Sequence, residues 1–261
     1  MVSASRPRII VLRAPGTNCD LETAYAFQKA GGLPEILHIN RVTESPATLL
    51  QAQIFCIPGG FSYGDDLAAG QVLAVRLQKY IGDVLREFHQ RGGLILGICN
   101  GFQALLKSGL LLAPDSRGPV ATLTWNDSHR FEDRWVTLAA QPGKCVFLAG
   151  IETMELPVAH AEGKFVPRDV QVLEQLQNSG QLVLRYTARR GEKVVQYPAN
   201  PNGSIADVAG VCDPTGRIFG LMPHPERHID PTQHPQWTRQ EKLPEVGHGM
   251  AVFQNAVRYF Q

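Results

Sequence analysis

The sequence lacks the features that mark membrane, exported and nucleic-acid-binding proteins. No segment approaches the roughly 20 consecutive apolar residues of a membrane span, and Met1–Arg8 contains no apolar core of an export signal. The formal net charge is only +1 and the basic residues are scattered, so no strong field attracts nucleic acid or an anionic membrane. We therefore expect a cytoplasmic protein with no nucleic-acid or membrane partner.

Cysteine-based frameworks are also missing. The five cysteines are odd in number and have no paired short spacings, which argues against a disulfide framework and against a CxxC metal site. His224, His228 and His234 are close in sequence, but their spacing is not that of a helical zinc pair. There is no GxxxxGK[ST] phosphate loop. We expect this chain to bind no metal and no cofactor.

What is present is the pattern of an α/β protein. The chain has 261 residues, 44% of them hydrophobic and 19% charged, which is enough to build a full core. In the first hundred residues, apolar runs alternate with helical spacing, which is typical of a parallel sheet. The predicted strands are Arg8–Leu12, Leu33–Ile39, Ile54–Ile57 and Leu94–Ile98, and the predicted helices are Asp20–Ala30, Val72–Gln90 and Gly101–Ser108.

The pattern changes after about Leu112, where short strand candidates follow one another with turns between them. The later predicted elements are strands at Arg134–Leu138, Leu182–Tyr186, Val194–Tyr197, Gly203–Val211 and Ile218–Met222, and a helix at Met250–Phe260. We predict a three-layer α/β fold with an open, mostly parallel sheet and antiparallel additions. Residues 1–261 are predicted to form a single domain, in which 1–7 are flexible and 228–248 form a loop or insertion.

The sharpest local feature is a cysteine between an apolar strand and a helix. Cys99 lies between Gly97 and Gly101, in the form of a nucleophile elbow with cysteine in place of serine. The glycines permit the tight turn, and the helix that follows favours a thiolate at its N-terminus. The alternative is a buried structural cysteine at a strand end, which is our interpretation of Cys56.

A histidine and a carboxylate follow the last apolar run. His224 and Glu226 are two residues apart, so at a strand end they project to the same side. Glu226 could then orient the ring while His224 faces a thiol. Pro223 and Pro225 stiffen this segment. The alternative is a surface His-Pro-Glu turn.

A third signal is the Gly59-Gly60 pair after the strand at Ile54–Ile57. Paired glycines let backbone N–H groups approach a reacting carbonyl, and together with the Asn100 N–H they would form an oxyanion hole. The alternative is an ordinary glycine turn. All three signals follow predicted parallel strands, at the sheet edge where open α/β proteins carry their sites.

Four motifs combine these signals in one order: Pro58-Gly59-Gly60-Phe61-Ser62-Tyr63-Gly64-Asp65, Gly97-Ile98-Cys99-Asn100-Gly101-Phe102-Gln103, Asn200-Pro201-Asn202-Gly203-Ser204 and Met222-Pro223-His224-Pro225-Glu226-Arg227. Together they resemble the glutaminase subunits of phosphoribosylformylglycinamidine synthase, a family of class I (triad) glutamine amidotransferases. The segments 14–20 and 126–132 resemble further signatures of that family. The resemblance extends from about Arg8 to Phe260 and implies a flavodoxin-like sheet.

The resemblance implies a role for each matching position of the elbow and of the histidine motif. Cys99 would be the nucleophile, His224 the acid and base, and Glu226 its partner. The oxyanion donors would be the backbone N–H groups of Gly60 and Asn100.

The same resemblance implies how the substrate is held. Gln103 would help to bind L-glutamine, with His160 and Glu162 nearby. Cys19 lies in a matching segment, and we interpret it as structural or as part of an interface. His129 lies in a segment that matches only in part, and no role is carried over to it.

The activity implied is hydrolysis of glutamine to glutamate and ammonia through a cysteine thioester. Ammonia would pass to an ATP-dependent synthetase subunit that makes formylglycinamidine ribonucleotide in purine biosynthesis, with a small bridging subunit in the same complex. ATP and Mg²⁺ are expected on the synthetase. Two other functions stay open: another cysteine or ester hydrolase of α/β-hydrolase type, and a non-catalytic scaffold that only binds a partner.

Overall fold

The computed structural model of the protein describes residues 6–188 and 195–261. The strands are β1 (Arg8–Arg13), β2 (Leu33–His38), β3 (Ile54–Ile57), β4 (Leu94–Ile98), β5 (Ala121–Thr124), β6 (Glu132–Ala140), β7 (Thr153–His160), β8 (Lys164–Pro167), β9 (Leu184–Tyr186), β10 (Val208–Cys212) and β11 (Ile218–Leu221). The helices are α1 (Asp20–Lys29), α2 (Ile39–Glu44), α3 (Gln71–Arg76), α4 (Gly82–Gln90), α5 (Asn100–Lys107), α6 (Val170–Asn178) and α7 (Met250–Arg258).

One large sheet organises the fold, with the strand order β2-β1-β3-β4-β11-β10-β9-β6-β7. The pairs from β2 to β11 are parallel, whereas those from β11 to β7 are antiparallel. A separate antiparallel pair joins β5 and β8. The predicted fold class, an open α/β sheet with a parallel core and antiparallel additions, is confirmed.

The burial pattern of the strands explains why they form this sheet. β3 and β4 are buried at every position, as expected for central parallel strands covered on both faces. β7 instead alternates, burying Met154, Leu156, Val158 and His160 while the intervening side chains are more exposed. Such alternation is typical of an antiparallel strand with one covered face.

Close packing of α5 against the sheet positions the elbow. A Cβ atom at Gly220 of β11 would lie 2.2 Å from the Phe102 ring of α5. Only glycine at position 220 lets α5 lie this close to the sheet. Elsewhere in the fold, α1 packs on α7 through an edge-to-face contact of Phe27 with Phe253, whose ring centroids are 4.9 Å apart.

The predicted helix at Val72–Gln90 is one helical segment with an irregular middle. The α-helices α3 and α4 are joined by a π-helical stretch at Leu77–Ile81, where the backbone widens by one residue per turn. The apolar spacing predicts the helix because the buried residues Leu73, Leu77, Leu85 and Phe88 continue through the stretch. It does not predict the π turn.

Two strand predictions need correction. Of the predicted strand Val194–Tyr197, Val194 lies outside the described residues, whereas residues 195 and 196 are irregular and Tyr197 begins a turn into Pro198. The predicted strand Gly203–Val211 begins only at Val208, because a 3₁₀ turn at Ile205–Asp207 comes first. In both cases the proline- and asparagine-rich turn around residue 200 occupies more of the chain than its apolar neighbours suggest.

The single-domain prediction includes the chain start and the 228–248 segment. Residues 1–5 lie outside the described residues, while the Arg6 guanidinium donates hydrogen bonds to the carbonyls of Gly31 and Gly32. Within 228–248 the regular structure consists of the 3₁₀ turns Pro231–Gln233 and Trp237–Arg239. Over residues 6–188 and 195–261, the helices fall short of the length and apolar character that crossing a lipid bilayer requires.

Candidate active site

Cys99 lies at the sharp turn between β4 and α5. Its backbone has φ 50° and ψ −105°, a left-handed conformation that is strained for any residue with a side chain. A Cβ atom at Gly101 would lie 1.9 Å from the Ile57 carbonyl oxygen, so only glycine lets the new helix pass this close to β3. The turn leaves the thiol at the carboxyl edge of the sheet.

Contacts with two strands, β11 and β7, hold the cysteine there. The Cys99 N–H donates to the Leu221 carbonyl of β11 at 2.8 Å. The Cys99 Sγ lies 3.7 Å from the Ala159 carbonyl oxygen of β7. β7 therefore contacts the nucleophile, although it belongs to the antiparallel part of the sheet.

His224 and Glu226 meet just beyond the end of β11. The His224 Nδ1 and the Glu226 Oε1 are 2.5 Å apart, and both side chains are buried. A 3₁₀ turn at Pro225–Arg227 makes this contact. The sequence spacing suggested instead that the alternation of an extended strand would make it. The His224 N–H donates to the Pro157 carbonyl at 2.8 Å, which ties this turn to β7.

The contact with Glu226 assigns the proton on the imidazole. Because a carboxylate accepts at Nδ1, the neutral ring carries its lone pair at Nε2. Within residues 6–188 and 195–261, the buried Nε2 of His224 has no hydrogen-bond partner. Nε2 is thus the ring atom left for proton transfer.

The electrostatic surroundings favour the imidazolium. Burial lowers the pKa of His224, but electrostatic interactions with Glu226 and Cys99 outweigh it and hold the pKa well above its usual value. A raised histidine pKa beside a cysteine is the condition for a thiolate–imidazolium pair. This pair is the reactive form of a cysteine nucleophile.

The two backbone donors predicted for an oxyanion hole belong to Asn100, which follows Cys99 in the chain, and to Gly60, which lines the same cavity as Cys99. In the part of the chain that the structure describes, the N–H groups of Gly60 and Asn100 donate to no protein acceptor. Gly60 has φ 143°, and a Cβ atom there would lie 2.8 Å from the Gly16 carbonyl oxygen. The adjoining Gly59 also lies against His224, since its Cβ atom would be 2.8 Å from the ring carbon Cε1.

Gln103 lies one helical turn beyond the elbow and is already hydrogen bonded. Its Nε2 donates to the Glu162 carbonyl at 2.7 Å, and its Oε1 accepts from the Asn100 Nδ2 at 3.0 Å. The Glu162 carboxylate accepts from the Ala69 N–H at 3.1 Å. Gln103 therefore links the elbow to the chain segment that contains Glu162.

His160 is a buried, neutral residue of the same region. Burial, reinforced by the His224 charge, lowers the pKa of His160 to about 3. Its Nδ1 contacts the Asn126 Oδ1 at 3.1 Å and its Nε2 faces the Asn202 Nδ2 at 3.4 Å. The Tyr186 hydroxyl oxygen accepts a hydrogen bond from the Asn202 Nδ2 at 3.1 Å in the same network. A His160 held neutral can shape the wall of a site but cannot supply a proton at neutral pH.

A small cavity opens beside the Cys99 sulfur. Five of the predicted site residues line it, namely Gly60, Cys99, Gln103, His160 and Glu162. Predictions made from separate parts of the sequence thus converge on one cavity.

Cys19 lies on the Nδ1 side of the His224 ring. Its Sγ is 4.0 Å from the His224 Nδ1, on the side that Glu226 occupies, and 3.2 Å from an Arg227 guanidinium nitrogen. Burial raises the pKa of Cys19 to about 11. Cys19, His224 and Glu226 place three potential metal ligands within 4.8 Å, but the guanidinium beside the sulfur disfavours a cation there. The position fits a structural cysteine.

Sequence reasoning missed three polar residues around the site. Asp65 accepts a hydrogen bond from the Asn100 side chain at 2.9 Å, and Asn126 and Asn202 hold His160. All three lie in the motifs on which the family resemblance depends. The signal was therefore present, as short polar side chains among glycine and proline turns.

Comparison with known proteins agrees with this geometry. Residues 6–260 match a family described as the CobB/CobQ-like glutamine amidotransferase domain. This chain shares only its fold with a glutamine amidotransferase from Thermotoga maritima. The two chains are 16% identical, with a TM-score of 0.53, over 90% of this chain and 82% of that one. The class of protein that the fold and site define is a glutamine amidotransferase.

Two further similarities narrow the class. Phosphoribosylformylglycinamidine synthase subunit PurQ from Dehalococcoides mccartyi is 49% identical over 256 residues, which cover 98% of both chains. A chain in the structure of PurLQS from Thermotoga maritima is 30% identical, with a TM-score of 0.73, and covers 98% of this chain and 100% of that one. The chain belongs to the PurQ subunit family of phosphoribosylformylglycinamidine synthase.

Proposed function

We propose that this chain is the glutaminase component of phosphoribosylformylglycinamidine synthase and hydrolyses L-glutamine at Cys99. One observation carries the assignment of the residues. The Glu226 carboxylate engages the His224 Nδ1, which leaves the buried Nε2 without a protein partner, and Cys99 interacts electrostatically with the same ring. This is the arrangement of a nucleophile, a base and an orienting carboxylate.

The first half of the reaction forms a thioester. The Cys99 thiolate adds to the side-chain carbonyl carbon of glutamine, and the N–H groups of Gly60 and Asn100 hydrogen bond to the resulting oxyanion. The His224 imidazolium then gives its Nε2 proton to the departing nitrogen. The C–N bond breaks, ammonia leaves, and the glutamyl group stays on the sulfur.

The second half regenerates the thiolate. His224, now neutral, accepts a proton from water through Nε2 while the water oxygen adds to the thioester carbonyl. Collapse of this second intermediate breaks the C–S bond and releases glutamate. Glu226 keeps the ring in one orientation through both halves and stabilises its positive charge.

The ammonia is proposed to pass to a synthetase subunit. The similar chain from Thermotoga maritima was solved as part of PurLQS, which supports a complex with a synthetase subunit and a small bridging subunit. Ammonia released to bulk water would be protonated and lose its nucleophilicity, so a shielded path is needed. ATP and Mg²⁺ are placed on the synthetase, and this chain is assigned no cofactor.

A cytoplasmic location belongs to the same proposal. All five cysteines are free and buried, as suits a compartment that keeps thiols reduced. Formylglycinamidine ribonucleotide is the product expected of the whole complex.

The two rival functions predict different behaviour. An α/β-hydrolase carries its acid before the histidine in chain order, whereas here Glu226 follows His224 and contacts it directly. A non-catalytic scaffold has no need for an unpaired imidazole nitrogen in a buried position. Both arguments favour the glutaminase.

Active-site labelling tests the proposal. The glutamine analogue 6-diazo-5-oxo-norleucine should attach one label at Cys99 in the complex with the synthetase, and glutamine should compete with it. Peptide mass spectrometry locates the label. Glutamate production should also rise sharply when the synthetase and its nucleotide substrates are added.

The matched controls are two cysteine variants. Cys99→Ser should take no label, while Cys19→Ser should still be labelled at Cys99. A label found on Cys19, or labelling that ignores glutamine, would show that the wrong sulfur has been assigned.

A further inference from the structure

The loop after the Gly59-Gly60 pair is strained. Tyr63, Asp65 and Leu67 have φ angles of 56°, 54° and 70°, the left-handed region that residues with a side chain rarely adopt. Such conformations persist only where surrounding contacts over-determine them. Contacts with surrounding residues must therefore hold this loop in place.

The Asn100 side chain supplies the central contact. It is buried, and its Oδ1 accepts from the Ser62 N–H at 3.1 Å. Its Nδ2 donates to the Asp65 Oδ1 at 2.9 Å and to the Gln103 Oε1 at 3.0 Å. One amide thus joins the elbow helix to the loop at two points.

Asp65 fixes the orientation of that amide. An asparagine amide can be turned by 180° at little steric change, and its partners decide which end donates. A carboxylate can only accept, so Asp65 forces the Nδ2 of Asn100 toward itself and the Oδ1 toward Ser62. The same Asp65 oxygen also accepts from the Gly70 N–H at 3.2 Å, which closes the loop.

Ser62 is two residues from Gly60, whose N–H is a proposed oxyanion donor. On its other side, this segment is held by the Phe61 N–H, which donates to the Gly16 carbonyl at 2.9 Å. Backbone bonds therefore fix one side of the loop, whereas Asn100 fixes the other. The position of the Gly60 N–H relative to the Cys99 sulfur depends on both.

We propose that Asp65 is a positioning residue of the oxyanion hole, acting through the Asn100 amide on the loop that carries the Gly60 N–H. The inference rests on the glutaminase function proposed above. Asp65 touches no reacting atom in this role. It sets the geometry in which the two backbone donors face the same oxygen.

A competing role for Asp65 is direct contact with the substrate. Asp65 and Glu162 both line the cavity beside Cys99, and a carboxylate there could bind the α-ammonium group of glutamine. The two roles need different chemistry. A positioning residue needs only an acceptor oxygen, whereas an ammonium contact needs the negative charge.

Substitutions at Asp65 separate these roles in the complex with the synthetase. Asp65→Ala and Asp65→Gly remove the acceptor, and glycine also suits the positive φ, so this second variant avoids added backbone strain. Both should lower kcat by about 10- to 100-fold with little change in KM, because a small misplacement of an oxyanion donor has effects of this size. Asp65→Asn keeps an acceptor oxygen and should retain most of the kcat.

The reactivity of the thiol provides the second readout. Alkylation of Cys99 by iodoacetamide needs the thiolate but no oxyanion hole, so its rate should stay at the wild-type value in Asp65→Ala and Asp65→Gly. The matched control is Asp66→Ala, since the exposed Asp66 carboxylate accepts no hydrogen bond from the residues described. This control should behave as wild type in both assays.

Four results would overturn the inference. They are a wild-type kcat in Asp65→Gly, a KM that rises as much in Asp65→Asn as in Asp65→Ala, an alkylation rate that falls in parallel with kcat, and equal losses in Asp66→Ala. A wild-type complex that makes no glutamate would be a different failure, because it would overturn the glutaminase function together with the inference.

Discussion

At the scale of single residues, the site depends on the charge state of one imidazole. His224 is buried, which by itself would make it neutral. Electrostatic interactions with the adjacent Glu226 and with Cys99 reverse this effect and raise the pKa of His224. His224 must give its Nε2 proton to the departing ammonia. The enzyme should therefore be active only at pH values at which His224 is protonated.

Glu226→Gln tests this dependence on pH. The glutamine oxygen can still accept from Nδ1, but the negative charge is gone, so the pKa of His224 should fall. The alkaline limb of the kcat profile should therefore move to lower pH in the variant. Profiles of glutamate release by the complex, measured from pH 6 to 10, check this.

Glu226→Ala serves as the comparison. It removes both the charge and the acceptor, so it should lose more activity than Glu226→Gln at every pH, within the roughly 10²–10⁴-fold that general acid–base catalysis contributes. An alkaline limb at the wild-type position in Glu226→Gln would mean that the carboxylate does not control the charge of His224.

At the scale of elements, the 228–248 segment is attached to the sheet by a group of histidines. The His228 ring lies 5.6 Å from that of His234 and 5.2 Å from that of His248, and Trp135 of β6 packs edge-on against His228. Glu155 of β7 contacts all three histidines through its carbonyl, its carboxylate and its N–H. Burial, together with the charges of His248 and His234, lowers the pKa of His228.

This attachment should weaken in acid. A histidine whose pKa is lower in the folded state contributes its full stability above the unfolded value, 6.5, and loses it as pH falls below that value. We expect backbone hydrogen exchange in 228–248, corrected for the intrinsic rate, to speed up between pH 7 and 5 while the strands β3 and β4 stay protected.

His228→Asn is the matched variant for this prediction. An asparagine Nδ2 can donate to the Glu155 carbonyl much as the histidine Nδ1 does, but it does not titrate. Exchange in the segment should then depend less on pH. An identical pH dependence in wild type and variant would exclude His228 as its cause.

How far sequence reasoning reaches also differs between elements. The runs at β1, β3 and β4 and the helix at α1 were predicted because their apolar spacing matches their burial. The strand β6 was predicted in part, as Arg134–Leu138, but its partner β7 and the helix α6 were missed, although β7 supplies Ala159 and His160 to the site. Their partly exposed faces leave a weaker periodic signal than a strand buried on both faces.

At the scale of the whole molecule, the mouth of the active site exposes several large apolar side chains among polar ones. Leu67 is 90% exposed and Trp125 is 53% exposed, and both line a 590 Å³ cavity that shares Asp65 and Glu162 with the catalytic one. Phe61, at the catalytic cavity, is also exposed. Exposed apolar groups in such a cluster mark a surface that another protein covers.

Trp125→Asp should therefore weaken the partner's effect. A charge in a covered interface has to be desolvated, so the synthetase should stimulate glutamate release less, or only at higher concentration. Alkylation of Cys99 in the isolated chain should stay unchanged. Titrating the variant with the synthetase while following glutamate measures the effect.

Tyr259→Asp is the control for that titration. Tyr259 is comparably exposed, at 46%, but follows α7 and lines neither cavity. It should leave stimulation by the synthetase as in wild type. Equal losses in the two variants would mean that the mouth has no special part in binding the partner.

The sequence by itself determined the local features of this protein. Apolar spacing specified the central strands, and the glycines around Cys99 specified a tight turn, because these properties depend on residues only a few positions apart. Tertiary structure alone decided which sulfur lines the catalytic cavity and which carboxylate orients Asn100. Cys19 and Cys99 both interact with the His224 ring. Cys19 lies 4.0 Å from Nδ1, whereas the strand order, with β11 next to β4 and the end of β7 in contact with Cys99, leaves the Cys99 sulfur at the cavity.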